Sequence, residues 1–269
     1  MKHVPTALKK GEVLIGPFSV SGSPTLVETI GYAGFDFVII DCEHAATSPF
    51  GSELEGLVRA ACAADIAPIV RVTKNDPGQI LKAFNFGAQI VIVPHVNTVE
   101  EARATVRAGK YAPVGRRSSA PPVRAAKHGF IEWPEFYRKQ LEETLIFPLI
   151  EEEEGLRNVT EIANVKGIGG IFFGPFDLAV SRGFPEGAFD LPTNQKEREF
   201  VYATAKSKGL PIADLAWDIE SATHMINMGA QLIALGTDLT MFANSCRSLK
   251  ESADTVRKSI SSAKAGKKK

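Results

Sequence analysis

The stretch Phe35-Asp-Phe-Val-Ile-Ile-Asp-Cys-Glu-His44 decides how the chain is read. Its apolar run, Phe37 to Ile40, ends in Asp41, Glu43 and His44, three ionisable groups within four residues. Four consecutive apolar residues suit a strand buried on both faces, as in a parallel sheet. Charges are too costly to bury inside such a strand, so they belong at its C-terminal end, where parallel α/β folds build their active sites. A helix cap plus one hydrogen-bonded histidine is the alternative. Gly169-Gly-Ile-Phe-Phe-Gly-Pro-Phe-Asp177-Leu repeats the design further along, which favours the strand-end reading.

Outward from that segment, short apolar runs alternate with amphipathic stretches. The runs cover 13–20, 35–40, 68–72, 90–96, 145–150, 170–173, 211–216 and 232–235. Helical periodicity fills 24–33, 53–64, 78–86, 98–108, 194–208 and 219–228 between them. Thr98-Val-Glu-Glu101 reads as a capping box, and Gly34, Gly87 and Gly229 sit where left-handed C-caps are needed. Eight βα alternations in a chain of this length predict a (β/α)₈ TIM barrel, one domain over 1–269 with a frayed basic tail at 260–269. A doubly wound open sheet is the runner-up, but neither a Gly-x-Gly-x-x-Gly after the first strand nor a Walker loop is found. The Pro-, Gly- and Arg-rich segment 111–137 is too long for an ordinary connection and reads as a functional loop leading into a short helix near 133–143. A long helix over 240–259 could lie on a neighbouring subunit.

Composition removes several classes of function. Hydrophobic residues make up 44% of 269, enough for a sizeable core. Lys+Arg and Asp+Glu both number 31, so no net charge draws the chain to nucleic acid or an anionic membrane. Cys42, Cys62 and Cys246 form no CxxC or zinc pattern, and the first ten residues lack an apolar signal core. No apolar stretch is long enough to span a membrane. The expectation is a cytoplasmic protein with reduced thiols.

In a barrel, the strand ends converge on one mouth. Strand two would bring Asp41, Glu43 and His44; strand three Arg71; strand four Pro94 and His95; strand five Glu151; strand six Asp177; strand seven Asp214. Glu151 and Asp177, on adjacent strands, suit a hard divalent cation such as Mg²⁺ or Mn²⁺, with positions left open for substrate oxygens. The alternative for Asp177 is a helix N-cap. Glu152 to Glu154 read as a solvated first helical turn, favoured there by the dipole. Arg71 inside an apolar strand calls for a carboxylate or anionic ligand. His95 and His224 are expected to be structural, His3 and His128 to lie in loops, and Cys42 to stay a neutral thiol. Lys74, the best-placed lysine, sits in a polar turn, so a metal route is preferred to a Schiff base.

From Gly16 to Asp238 the chain resembles the HpcH/HpaI aldolase/citrate lyase family of metal-dependent 2-oxo-acid aldolases. The resemblance rests on Asp41-Cys-Glu-His44, Val70-Arg-Val72, Gly87-Ala-Gln89 with Val93-Pro94, Tyr111-x-Pro-x-Gly115-Arg and Gly174-Pro-Phe-Asp-Leu178. It implies a hexamer whose C-terminal helix is exchanged between subunits. It also implies that Glu151 and Asp177 hold Mg²⁺, Mn²⁺ or Co²⁺, which would bind the carboxylate and 2-oxo oxygens of a pyruvate unit. His44 would then take the proton of the C4 hydroxyl, through water, and Arg71 would stabilise the developing oxyanion. Cleavage would release an aldehyde and leave pyruvate enolate.

The chain departs from the family's pattern at several substrate-facing positions. Leu149 stands where the family often has Gln, Phe176 where Ala lies beside the metal Asp, and Asn85 where an Asp raises the basicity of the active-site His. Asn85 is still counted with His44 and Arg71 as catalytic, and Leu149, Gly174, Phe176 and Asp177 as substrate-facing. Arg117-Ser-Ser-Ala-Pro-Pro replaces a Gly-rich loop. Three functions are compatible: retro-aldol cleavage of a 4-hydroxy-2-oxo acid; decarboxylation or another C–C reaction of an oxaloacetate-like acid through the same enolate; and a non-catalytic small-acid binder.

Overall fold

The computed structural model describes residues 1–184 and 194–266, with side chains to 260. Eight parallel strands close into a barrel in sequence order: β1 (Leu14–Ser19), β2 (Phe37–Asp41), β3 (Ala67–Arg71), β4 (Ile90–Val93), β5 (Leu145–Ile150), β6 (Ile171–Phe173), β7 (Ile212–Ala216) and β8 (Leu232–Thr237). All eight coincide with the expected runs to within a few residues. The capping box at Thr98 forms with both of its hydrogen bonds, and Gly87 and Gly229 end their helices in the left-handed region.

Strand alternation divides the apolar residues into two layers. Phe37, Ile39, Ile69, Ile90, Ile92, Phe147, Leu149, Phe172 and Ala213 fill the barrel interior. Their neighbours Val38, Ile40, Val70, Val91, Ile150 and Phe173 face the surrounding helices. Each fully buried side chain of this size contributes about 1.5–3 kcal/mol. The interior is closed from below by an N-terminal helix, Val4–Lys9, absent from the sequence reading, whose Val4, Ala7 and Leu8 join the inner layer. Gln89 Oε1 accepts from the Val4 amide at 2.8 Å, tying that plug to the base of β4.

The same alternation determines which polar residues reach the mouth. Asp41 and Arg71 continue the inward rows of β2 and β3, and Glu151 follows the inward row of β5. Asp214 takes the opposite face. It is buried against the helix Gln195–Ser207, accepting from Arg198 Nε at 2.9 Å and Tyr202 Oη at 2.8 Å. The expectation that strand seven delivers Asp214 to the mouth is therefore corrected: its neighbours Ala213 and Leu215 occupy the inward positions.

The C-terminal helix runs Asp238–Gly266, longer at both ends than expected. Of the proposed tail, 267–269 lies outside the described residues. No helix among the described residues is long and apolar enough to cross a membrane.

Candidate active site

Asp41 and Arg71 are register partners at the ends of β2 and β3. The Arg71 guanidinium donates to both Asp41 oxygens, Nε to Oδ1 at 2.8 Å and Nη2 to Oδ2 at 2.7 Å. Asp41 also accepts from the Glu43 amide at 3.0 Å and the His44 amide at 3.3 Å, so one buried carboxylate shapes the turn that presents the acid and the imidazole. The third guanidinium nitrogen, Nη1, lies 3.2 Å from Glu43 Oε2. Burial lowers and these carboxylates raise the Arg71 pKa, and the net direction is upward.

Glu43 stands between two imidazoles. His44 Nε2 is 3.9 Å from its Oε2, and His95 Nε2 is 3.4 Å from its Oε1. Burial drives the Glu43 carboxyl above its ordinary range, against the pull of Arg71, His44 and His95. The side chain of His44 is 64% exposed to the mouth, available to a substrate.

His95, read from sequence as structural, is part of this cluster. Its backbone takes the left-handed conformation, φ +55°, uncommon for a non-glycine residue and a frequent mark of functional sites. That conformation aims its amide at Glu151 Oε1, 2.9 Å away, and its Nδ1 at Glu152 Oε1, 2.7 Å away. Burial lowers its pKa, but Glu152, Glu151 and Glu43 together raise it above the usual histidine value. Nothing in the run Ile90-Val-Ile-Val-Pro-His95 discloses the turn; the signal is the backbone angle.

Glu151 is 2% exposed. Burial pushes its carboxyl up to about 8, and the charges of Glu43 and Asp177 add to the rise, against the His95 amide and the His95 charge. Asp177 lies in the first turn of the helix Pro175–Ser181, whose N-cap is Gly174, so it is not the N-cap that its sequence context allowed. A Cβ on Gly174 would fall 2.7 Å from Glu151 Cβ and 3.3 Å from its Oε2, so only glycine lets the end of β6 lie this close to the carboxylate. The far end of Pro175–Ser181 is tied down by Arg182, which pairs with Glu153 and, at 2.7 Å, with Glu197. Among the described residues no group of three or more His, Cys, Asp or Glu side chains is arranged to hold a metal. The crowded pair Glu151 and Asp177 is the donor set that fits a hard divalent cation, with remaining positions for water and substrate.

Comparison with known proteins bears on this arrangement. The model of the HpcH/HpaI aldolase/citrate lyase family matches residues 14–245. The chain belongs to that family. A 5-keto-4-deoxy-D-glucarate aldolase of Citrobacter koseri is 34% identical over 254 residues, 94% of this chain and 95% of that protein. Among solved structures, a family member from Burkholderia cenocepacia J2315 superposes with a TM-score of 0.87 at 26% identity, covering 94% of this chain and all of that one. The citrate synthase SbnG superposes with a TM-score of 0.84 at 30% identity, covering 94% and 98%. As a member of this family with aldolases aligned along almost its whole length, the chain is a carbon–carbon lyase.

Within this family member His44, Arg71, Glu151 and Asp177 come together at one mouth, with Leu149 and Gly174 beside Glu151. Leu149 belongs to the inner apolar layer, so the floor beside the carboxylate is greasy. Phe176 is half-buried in the turn before Asp177. Asn85 does not join them within the chain. It sits in the last turn of the helix Pro77–Phe86, towards the N-terminal end of β4, where its Oδ1 accepts from Arg117 Nη2 at 2.9 Å. Arg117 is buried over the Tyr111 and Phe84 rings, and burial pushes its pKa down to about 10. Cys42 faces the helices, and burial pushes its thiol up to about 12, as befits an inert side chain.

Proposed function

We propose that this carbon–carbon lyase is a divalent-metal-dependent aldolase that cleaves a 4-hydroxy-2-oxo acid to pyruvate and an aldehyde, or joins the two. The observation that carries the reading is Glu151, a buried carboxyl crowded by the charges of Glu43 and Asp177 at the foot of the mouth. Such crowding is relieved by a cation, and Glu151 and Asp177 would hold it. When bound there, Mg²⁺, Mn²⁺ or Co²⁺ supplies Lewis acidity that draws charge from the 2-oxo group as the enolate forms.

The chain's own residues do the rest. His44 exposes its imidazole to the mouth and takes the C4 hydroxyl proton, through water, as the C3–C4 bond breaks. Glu43 Oε2 lies 3.9 Å from His44 Nε2 and borders the imidazole within the site. Arg71 is held by Asp41 and Glu43, so its charge is oriented before the reaction begins. Leu149 keeps water from the floor of the site, and Phe176 narrows the approach to Asp177.

The substrate named for the Citrobacter koseri relative fits this chemistry. Numbered from its keto-acid end, 5-keto-4-deoxy-D-glucarate is a 4-hydroxy-2-oxo acid, and we propose it as the first candidate. The likeness to citrate synthase SbnG supports a second reading, carbon–carbon bond formation or decarboxylation of an oxaloacetate-like acid through the same enolate. Assembly as a hexamer is proposed from the exposed Phe242, Leu249, Val256 and Ile260 along the C-terminal helix, an apolar stripe suited to a second subunit. Pyruvate release from 5-keto-4-deoxy-D-glucarate and from oxaloacetate, with Mn²⁺ or with EDTA, tests the assignment. Metal-dependent release from the former supports the aldolase, turnover of oxaloacetate alone supports the second reading, and no turnover of either refutes both.

A further inference from the structure

A cavity of about 250 Å³ opens on the barrel flank, between the last turns of the helix Val99–Gly109, the loop after it and the segment before β6. Its walls include Arg103, Arg107, Arg116 and Lys166, with Val106, Val114 and Val165 among its apolar lining, and no carboxylate among the described residues lines it. Arg103 pairs with Glu100 at 3.2 Å. The side chains of Arg107, Arg116 and Lys166 have no hydrogen-bonding or ion-pair partner among the described residues.

The backbone brings these cations together. The Arg116 amide donates to the Arg107 carbonyl at 2.7 Å, which straps the loop to the helix end. Gly115 allows that approach, since a Cβ there would lie 2.2 Å from the Lys110 carbonyl oxygen. Gly167, at φ +107°, brings the Lys166 segment onto Val106 and Val114, where a Cβ would lie 2.6 Å from Val106 Cγ1. Arg107, Arg116 and Lys166 are exposed at the rim of one cavity with an apolar floor, so an anion seated there would meet all three charges. The formal charge of the chain is zero, so the cluster is a local feature rather than a share of a basic surface.

We infer that this cavity is a binding site for a compact, multiply charged oxyanion of the phosphate or pyrophosphate class, held by Arg107, Arg116 and Lys166. Guanidinium groups match tetrahedral oxyanions through paired N–H donors, and the cavity admits only a small ligand. The site shares no residue with the mouth. The helix Val99–Gly109 runs back antiparallel to the strands, so its last turn lies at their N-terminal end, away from Glu151 and Asp177.

Isothermal titration of inorganic phosphate and of pyrophosphate into the metal-free full-length protein, at ionic strength fixed with sodium chloride, tests the inference. Saturable binding at one site per chain is expected, unchanged by excess pyruvate and weakened about tenfold in Arg116→Gln and in Arg107→Gln, the loss of one charge-assisted contact. Lys10→Gln, a change of exposed charge elsewhere, should leave it unchanged, and melting temperatures of the three variants report that they fold. Absence of saturable binding would overturn the inference. So would binding that pyruvate displaces and Arg116→Gln does not affect, which would place the anion at the mouth, or an equal loss in Lys10→Gln.

Discussion

Arg71 and Asp41 meet side by side on neighbouring strands, with Nε and Nη2 of the one donating at 2.8 and 2.7 Å to the two carboxylate oxygens of the other. Because Asp41 also holds the Glu43 and His44 amides, this pair connects the strand framework to the chemistry. Asp41→Ala leaves Arg71 with Glu43 alone and the Glu43 and His44 amides without their acceptor, and should cost up to about 3 kcal/mol in urea unfolding. Arg71→Lys keeps the charge but loses the two-pronged fit. We expect kcat/KM to fall about a hundredfold or more, with stability less affected than in Asp41→Ala.

His44 and His95 flank the same carboxylate but should respond differently. His44→Gln should lower kcat by about 10²–10⁴-fold, the range of a lost general base, with Mn²⁺ affinity unchanged. His95 acts on Glu151 through its amide in a left-handed turn, which glycine adopts freely. His95→Gly should therefore keep metal affinity, whereas His95→Pro, lacking the amide and unable to reach φ +55°, should lose it. Metal titrations of both variants check this.

Gly174→Ala places a methyl 2.7 Å from Glu151 Cβ, too close to stand without movement. The carboxylate or the end of β6 must shift. Mn²⁺ binding should weaken and kcat fall, while a control, Gly183→Ala, where nothing lies within 4 Å, should cost only backbone strain.

The pH dependence follows from Glu151, whose folded value of about 8 lies above its ordinary 4.5. The folded carboxyl keeps its proton where the unfolded chain has released it. Its stabilisation of the metal-free protein is thus complete below about pH 4.5 and lost as pH climbs through about 8. A cation requires the carboxylate and expels that proton. Apparent Mn²⁺ affinity should rise by up to about tenfold per pH unit on approach to pH 8 and level off above it. Thermal melts with and without Mn²⁺ across this range measure both trends, and Glu151→Gln should remove this group's share of them.

Much of this was legible in the chain. Phe37 to Ile40 followed by Asp41, and Leu145 to Ile150 followed by Glu151, identify buried strands and their functional ends because apolar runs and charge obey different burial costs. Facing was harder. In Pro211-Ile-Ala-Asp-Leu-Ala216 the inward and outward residues are both small or apolar, so nothing told that Asp214 points to Arg198 and Tyr202 rather than the mouth. His95 is placed at the mouth by the sequence but read as structural, for a different reason: its role depends on a left-handed backbone angle, and a Pro-His pair carries no sign of one. Asn85 was singled out by resemblance, and its bond to Arg117 is a tertiary contact between segments 32 residues apart.

The most direct measurement is a calorimetric titration of Mn²⁺ into metal-free protein at about pH 8, near the Glu151 value, comparing the parent chain with Glu151→Gln and Asp177→Asn. One ion per chain, with binding abolished or severely weakened in each variant while both still fold, is the predicted result. No saturable binding in the parent chain, or binding of undiminished affinity in both variants, would contradict the account.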